Sequence, residues 1–312
     1  MRKFIVKIVI FFIVFGLIFL FGIMLPATPA AKNNMLAYKT QKDSLLANVA
    51  SPRIIFVGGS NLVFGLDSER FKDEFSLNPI NAGLAVNFGL YFMMEDVLTY
   101  IRPGDYIVLA PEYQHYYGKN AFGGNDLLRL LMDTDKDGFK NLSSGHIPNL
   151  MKAVPVYFLG KFNWNQYFYN NDHNVYGKHI FNQYGDSNFH WGLKQRTFPL
   201  VNPLKGPINN SVIEAIKTFD NQIKDKGATL FVTYPGFQES SYQLIKNEIE
   251  MVQFALEKAD LEILGTPKRY VMPDSLMFDQ IYHLSKQGVD RRTSFLIEDL
   301  HGSDFLNSKS NK

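Results

Sequence analysis

The sequence predicts an α/β fold: a doubly wound, mainly parallel five-stranded sheet flanked by helices, with an aromatic-rich insertion and an N-terminal transmembrane helix. Three observations carry this expectation. Short uncharged runs at residues 54–57, 106–110 and 229–233 are each followed closely by glycine or proline, as strands buried on both faces are. Stretches of helical period separate them, and that alternation is the mark of a parallel sheet with helices on both faces. Finally, residues 8–25 are apolar and without charge.

That first stretch reads as a membrane anchor over residues 1–30. At about 1.5 Å per residue the apolar run nearly spans a bilayer core, and Phe4 to Val6 extend it. Arg2, Lys3 and Lys7 precede it, which keeps the N-terminus cytoplasmic. The expected location is therefore the bacterial inner membrane, single-pass, with the remainder extracytoplasmic. Small residues from Ala27 to Ala31 leave a cleaved signal peptide as the alternative; the length of the run favours a retained anchor.

Residues 31–52 are polar and read as a juxtamembrane stalk with a short helix over 35–49. The α/β domain is expected over 53–300. Its first strand ends at Gly58 and Gly59, which let the chain turn sharply and set Ser60 at the C-terminal edge. A helix over 67–75, a short strand over 79–83 and a helix over 87–100 follow. Pro103, Gly104 and Asp105 turn the chain into the strand 106–110, and Pro111 ends it. Glu112, Tyr113 and Gln114 come next, at the same edge.

From 113 to 206 the periodicity fails and aromatic side chains crowd together, among them Trp164, Tyr167, Tyr169 and Tyr176. So long a segment without period reads as a functional insertion. Ring faces with side-chain amides suit a sugar, which makes Glu112, Tyr113, Trp164 and Tyr167 candidate substrate-binding residues; an aromatic mini-core is the alternative. Alternation resumes with a helix over 210–226 capped by Gly227, the strand 229–233, a helix over 239–259 and a fifth strand over 261–264. An extended 267–273, a closing helix over 284–300 and a flexible tail over 301–312 complete the chain.

Composition narrows the function. A net charge of +2 gives no nucleic-acid footprint. With no cysteine there is no disulfide, thiol chemistry or cysteine-bound metal. His173, His179 and His190 lack the spacing and paired acids of a zinc site. Asp133, Asp135, Asp137 and Gly138 begin like a calcium loop, but Ser144 stands where its bidentate acid belongs, so an Asx-rich turn is the simpler reading. No metal and no cofactor are expected.

A serine hydroxyl is a poor nucleophile without a base. His283 and Asp279, four positions apart, supply a base and an acid that would fix its tautomer; a helix there would put both on one face. Ser60, His283 and Asp279 thus form a coherent nucleophile, base and orienter. The alternative is a turn serine that caps a helix and a surface acid–imidazole pair. Arg291 and Arg292 could meet an anion or form ion pairs on the closing helix.

The Gly-Gly-Ser-Asn turn after strand one, Gly83 after strand two and the Asp–His pair before the last helix resemble the SGNH (GDSL-type) hydrolase superfamily, whose fold is flavodoxin-like. Asp279, Tyr282, His283, Leu284, Gly288, Arg292 and Thr293 resemble, more narrowly, membrane-anchored SGNH-like proteins of envelope polysaccharide O-acylation. The chain is also similar to the D-alanyl transfer protein of teichoic acid modification. The resemblance implies Ser60 as nucleophile, His283 as base and Asp279 as its partner, with the N–H groups of Ser60 and Gly83 as oxyanion donors. Three positions depart from the family pattern. Gly59 replaces the acid before the serine, the Asp-to-His spacing is four rather than three, and Pro111-Glu112-Tyr113-Gln114 stands where Gly-x-Asn is usual. An ionised glutamate cannot donate, so Gln114 or Asn61 is expected to supply the missing oxyanion donor. The function implied is an O-acyl esterase or acyltransferase acting on an envelope or exported glycan, with a polytopic membrane O-acyltransferase as partner where one is needed. The alternative is a non-catalytic glycan-binding or assembly subunit; a lipid or thioester hydrolase stays open because fold does not set substrate.

Overall fold

The computed structural model describes residues 1–168, 174–303 and 305. Tyr169, His173 and nearly all of the tail beyond Ser303 lie outside the described residues.

Helix α1 (Arg2–Met24) is built from Ile, Val, Phe and Leu and keeps almost every side chain exposed. At 23 residues it is roughly 35 Å long, enough to cross a bilayer core. Short α2 (Pro29–Asn33) and α3 (Lys39–Asn48) follow. The segment read as a stalk is therefore helical, but it is docked onto the domain. Leu46 is in the core, and the Lys42 ammonium is buried on the carbonyls of Asn81, Gly83 and Gly185 at 3.0, 2.5 and 3.1 Å. The segment reads as polar in sequence; in space Lys39 and Lys42 find buried partners.

Strand β1 (Arg53–Gly58) is buried at every residue, as its β-branched run requires. Then come α4 (Ser60–Val63), α5 (Ser68–Phe75), β2 (Asn78–Asn81), α6 (Leu90–Leu98) and β3 (Tyr106–Ala110). The insertion is less irregular than its composition suggests, since it holds α7 (Asn125–Asp133) and α8 (Ile147–Lys161) among 3-10 turns. Helix α9 (Asn210–Asp225) ends at Gly227, whose φ of +72° only glycine adopts readily. It leads to β4 (Thr229–Thr233), β5 (Phe237–Gln238), α10 (Glu239–Leu244) and α11 (Lys246–Glu257). The single helix expected over 239–259 is thus broken at Ile245, whose ψ of 28° leaves the helical range. Last come β6 (Ile263–Leu264), β7 (Val271–Met272) and α12 (Lys286–His301).

The main sheet is parallel, with order β2-β1-β3-β4-β6. Helices α6 and α9 pack together on it, as do α5 and α12. This is the doubly wound, flavodoxin-like arrangement expected from the alternation. The extended 267–273 becomes a 3-10 turn and β7, which pairs with β5 in a separate parallel two-stranded ladder. The strand order reverses between β1 and β3, and loops leaving those parallel neighbours diverge to open a crevice at their C-terminal ends. Ser60 follows β1 there, and Glu112 follows β3.

Candidate active site

Ser60 opens α4 directly after the Gly58-Gly59 turn. Its Oγ lies 3.0 Å from His283 Nε2, and His283 Nδ1 lies 2.8 Å from Asp279 Oδ1. The imidazole is buried and stacked on Phe64, ring centroids 4.1 Å apart. The pair does not sit on a helix. It spans a tight turn, closed by His283 N–H on the Gln280 carbonyl (3.2 Å) and Phe278 N–H on the His283 carbonyl (2.7 Å). Leu284 N–H donates to Phe64 O at 3.1 Å and fastens that turn to the serine turn.

The second oxygen of Asp279 accepts from the Tyr176 hydroxyl at 2.7 Å, which in turn accepts from Gln280 Nε2 at 3.0 Å. Burial alone would raise the Asp279 carboxyl; its bonds to His283 and Tyr176 outweigh that and hold it below the ordinary range. An ionised Asp279 keeps the proton on Nδ1 and leaves Nε2 to accept from Ser60.

Glu112 occupies the far side of the serine. Its Oε1 is 3.4 Å from Ser60 Oγ and accepts from Asn61 N–H at 3.1 Å. Burial pushes the carboxyl up to about 7, against hydrogen bonds from Asn61 and Ser60 that lower it. Near neutrality Glu112 is thus in part a protonated acid, able to donate as well as accept. It also explains Gly59: a Cβ there would collide with the Glu112 carboxyl. An acid thus reaches the serine turn from the end of β3.

Of the expected oxyanion donors, Ser60 N–H, at the first position of α4, makes no hydrogen bond among the described residues. Gly83 does not stand ready: its N–H is committed to Asn81 Oδ1 at 2.9 Å within a tight turn. Asn61 is likewise engaged, its amide donating to Ala110 O at 3.0 Å and accepting from Arg292. Gln114 is half-buried and lines a cleft of about 760 Å³ together with Asn120, Tyr117 and Lys205. Asp279 and Gln280 border the same cleft.

The substrate candidates divide. Tyr113 is buried beside Phe237, and its N–H donates to Tyr282 Oη at 3.1 Å, so it is scaffold. Trp164 and Tyr167 do not join the serine. They follow α8, where Gln166 meets Thr28 and Lys161 bonds Pro26 O, beside the end of α1. Residue type suggested sugar binding, but the local apolar setting is a different one.

Arg292, expected to meet an anion or form an ion pair on the closing helix, has a different role. It is fully buried and donates to Asn61 O, Gly65 O and Asn61 Oδ1 at 2.7, 3.2 and 3.0 Å, clamping the serine turn rather than facing an anion. Arg291 lies exposed near Phe295. Among the described residues no cluster of His, Cys, Asp or Glu is placed to hold a metal. Asp133 and Asp135, from the calcium-like run, pair with Lys161 and Lys39 at 2.6 and 3.4 Å. His190 sits buried between Ser187 and the Leu284 carbonyl, and His179 against Phe189.

No protein-family model matches the chain, and no curated protein does. Among solved structures, protein YxiM from Bacillus subtilis is similar at 13% identity and a TM-score of 0.37, over 81% of this chain and 57% of that one. This chain therefore spans little more than half the length of that structure.

Proposed function

We propose that this chain is a membrane-anchored, extracytoplasmic serine acyl-transfer enzyme, an O-acyl esterase or O-acyltransferase acting on an envelope or exported polysaccharide. One observation carries the reading: the unbroken line of hydrogen bonds from Ser60 through His283 to Asp279. His283 Nε2 takes the serine proton as Oγ attacks the acyl carbon. Asp279, held ionised, steadies the imidazolium. Ser60 N–H and the protonated form of Glu112 receive the oxyanion, in place of the Gly83 and asparagine donors of the family pattern. Collapse expels the sugar oxygen, which takes the proton from His283. Water or a second sugar hydroxyl, deprotonated by His283, then attacks the acyl-serine and frees it. The amide- and tyrosine-lined cleft beside Asp279 suits a hydroxyl-rich acceptor.

A serine-reactive phosphonate tests the reading. Labelling of the full chain is expected to disappear in Ser60→Ala and persist in Ser211→Ala, an exposed serine on α9. The second reading is a non-catalytic glycan-binding or assembly subunit that partners a membrane-bound O-acyltransferase. The committed Gly83 N–H and an acid where an amide donor is usual favour it. Absence of labelling together with unchanged glycan acylation in Ser60→Ala decides for that reading.

A further inference from the structure

Helix α8 turns an apolar face outward. Ile147, Met151, Pro155, Val156, Leu159 and Phe162 are all exposed, and Lys152 is the one charged residue exposed along it. Met151 and Leu159 are each 65% exposed, and Trp164 and Phe168, with ring centroids 5.5 Å apart just beyond, are 72% and 70% exposed. Soluble surfaces seldom carry so continuous an apolar patch without a partner.

The partner is indicated by what the same helix touches. Phe158 packs on Phe19 of α1 with ring centroids 4.8 Å apart, and Phe158 and Phe162 fill the space a Cβ on Gly22 would need. Lys161, buried at the end of α8, holds the Pro26 carbonyl at 3.2 Å and Asp133 at 2.6 Å, fixing the point where the chain leaves α1. Phe19 lies five residues before the end of α1, about 8 Å along its axis. Helices that lie in a bilayer surface sit at a similar depth, ~5–10 Å below the headgroups. A tryptophan at that level is in its preferred environment.

We propose that α8 and the Trp164–Phe168 turn lie in the surface of the bilayer leaflet from which the C-terminal end of α1 emerges. This rests on the reading of α1 as a retained anchor. The domain then has two attachments to the membrane, one spanning and one flat, and cannot swing freely on its tether.

The chain has two tryptophans, Trp164 and Trp191, and Trp191 is half-buried beside Lys286. Full-length Trp191→Phe and Trp164→Phe chains are reconstituted in phosphatidylcholine vesicles, with and without bromine on the upper acyl carbons. Brominated lipid is expected to remove most Trp164 emission and leave Trp191 emission unchanged. Leu159→Glu in the Trp191→Phe chain should restore Trp164 emission while α1 keeps the chain on the vesicle. Unquenched Trp164, or equal quenching of both tryptophans, in chains that float with the vesicles overturns the proposal and leaves the anchor standing. Chains that no longer float after an alkaline wash overturn the anchor and this inference together.

Discussion

Gly59 and Glu112 form one unit, although β1 and β3 supply them separately. The carboxyl fills the space a side chain at 59 would take, so Gly59→Ala should abolish phosphonate labelling by displacing Glu112 and the serine turn. Glu112 also makes stability depend on pH. It loses its proton at about 7 in the folded chain, against an ordinary value of 4.5. The folded state therefore holds the extra proton between those values. Its contribution is complete below pH ~4.5 and is lost as pH rises through about 7, a change of about 3 kcal/mol. Denaturant unfolding of wild type and Glu112→Gln between pH 5 and 8 measures this, because other groups cancel in the difference. Wild type should lose ground to the variant as pH rises; parallel curves would show that Glu112 is ionised throughout. At this scale the Gly-Gly-Ser turn and the Asp279–His283 pair were legible because each is a local pattern of residue types, and the structure sets Ser60 Oγ 3.0 Å from His283 Nε2. Tyr176, Phe64 and Arg292 were not, since their roles come from packing across long chain separations. Trp164 and Tyr167 were grouped with Glu112 and Tyr113 by residue type alone, and the structure sets them after α8, near the end of α1.

Among the elements, β1, β3 and β4 were readable from β-branched runs, and α9 from its apolar stripe. Helix α8 escaped because Pro155 lies inside it and both its faces carry apolar residues, which erases the helical period. The two-residue β5 and β7 are too short to show alternation. Helix α12 closes the site through Arg292, which bonds the serine turn, and through Thr293, whose hydroxyl accepts from Asp67 N–H at 3.2 Å. Burial drives the Arg292 guanidinium down to about 10, so it stays charged at neutral pH and must be paired. Arg292→Met leaves buried carbonyls unbonded and Glu112 without its nearby cation; we expect a loss of about 3 kcal/mol in unfolding free energy and no labelling. Arg292→Lys keeps the charge but cannot reach Asn61 O and Gly65 O from one planar fork, so it should recover stability in part and labelling poorly. Equal recovery of both would mean that charge alone matters.

For the whole molecule, the segment between anchor and sheet decides what folds on its own. Its polar composition suggested a tether, yet Lys39 and Lys42 are bonded inside the domain. Lys42 caps the loop that carries Asn81 and Gly83, and Lys39 meets Asp43 and Asp96 at 2.6 and 3.0 Å. Arg53, paired with Asp105 at 2.9 Å, also donates to Leu46 O at 2.6 Å, and Arg102 donates to Val49 O at 2.9 Å. A chain beginning at residue 27 keeps all of these contacts. One beginning at residue 51 exposes the Leu46 site, takes the Leu46 carbonyl from Arg53, and leaves the Asn81 and Gly83 carbonyls without Lys42. The shorter chain should be less stable by at least about 4 kcal/mol, or roughly 10 °C in Tm. It should also lose labelling, because the freed Asn81–Gly83 loop packs on Leu62 and Gly59 O of the serine turn. Calorimetry and labelling of the two truncations, both lacking α1, separate this from any effect of the membrane. Equal melting temperatures would return residues 31–52 to the role of a passive linker.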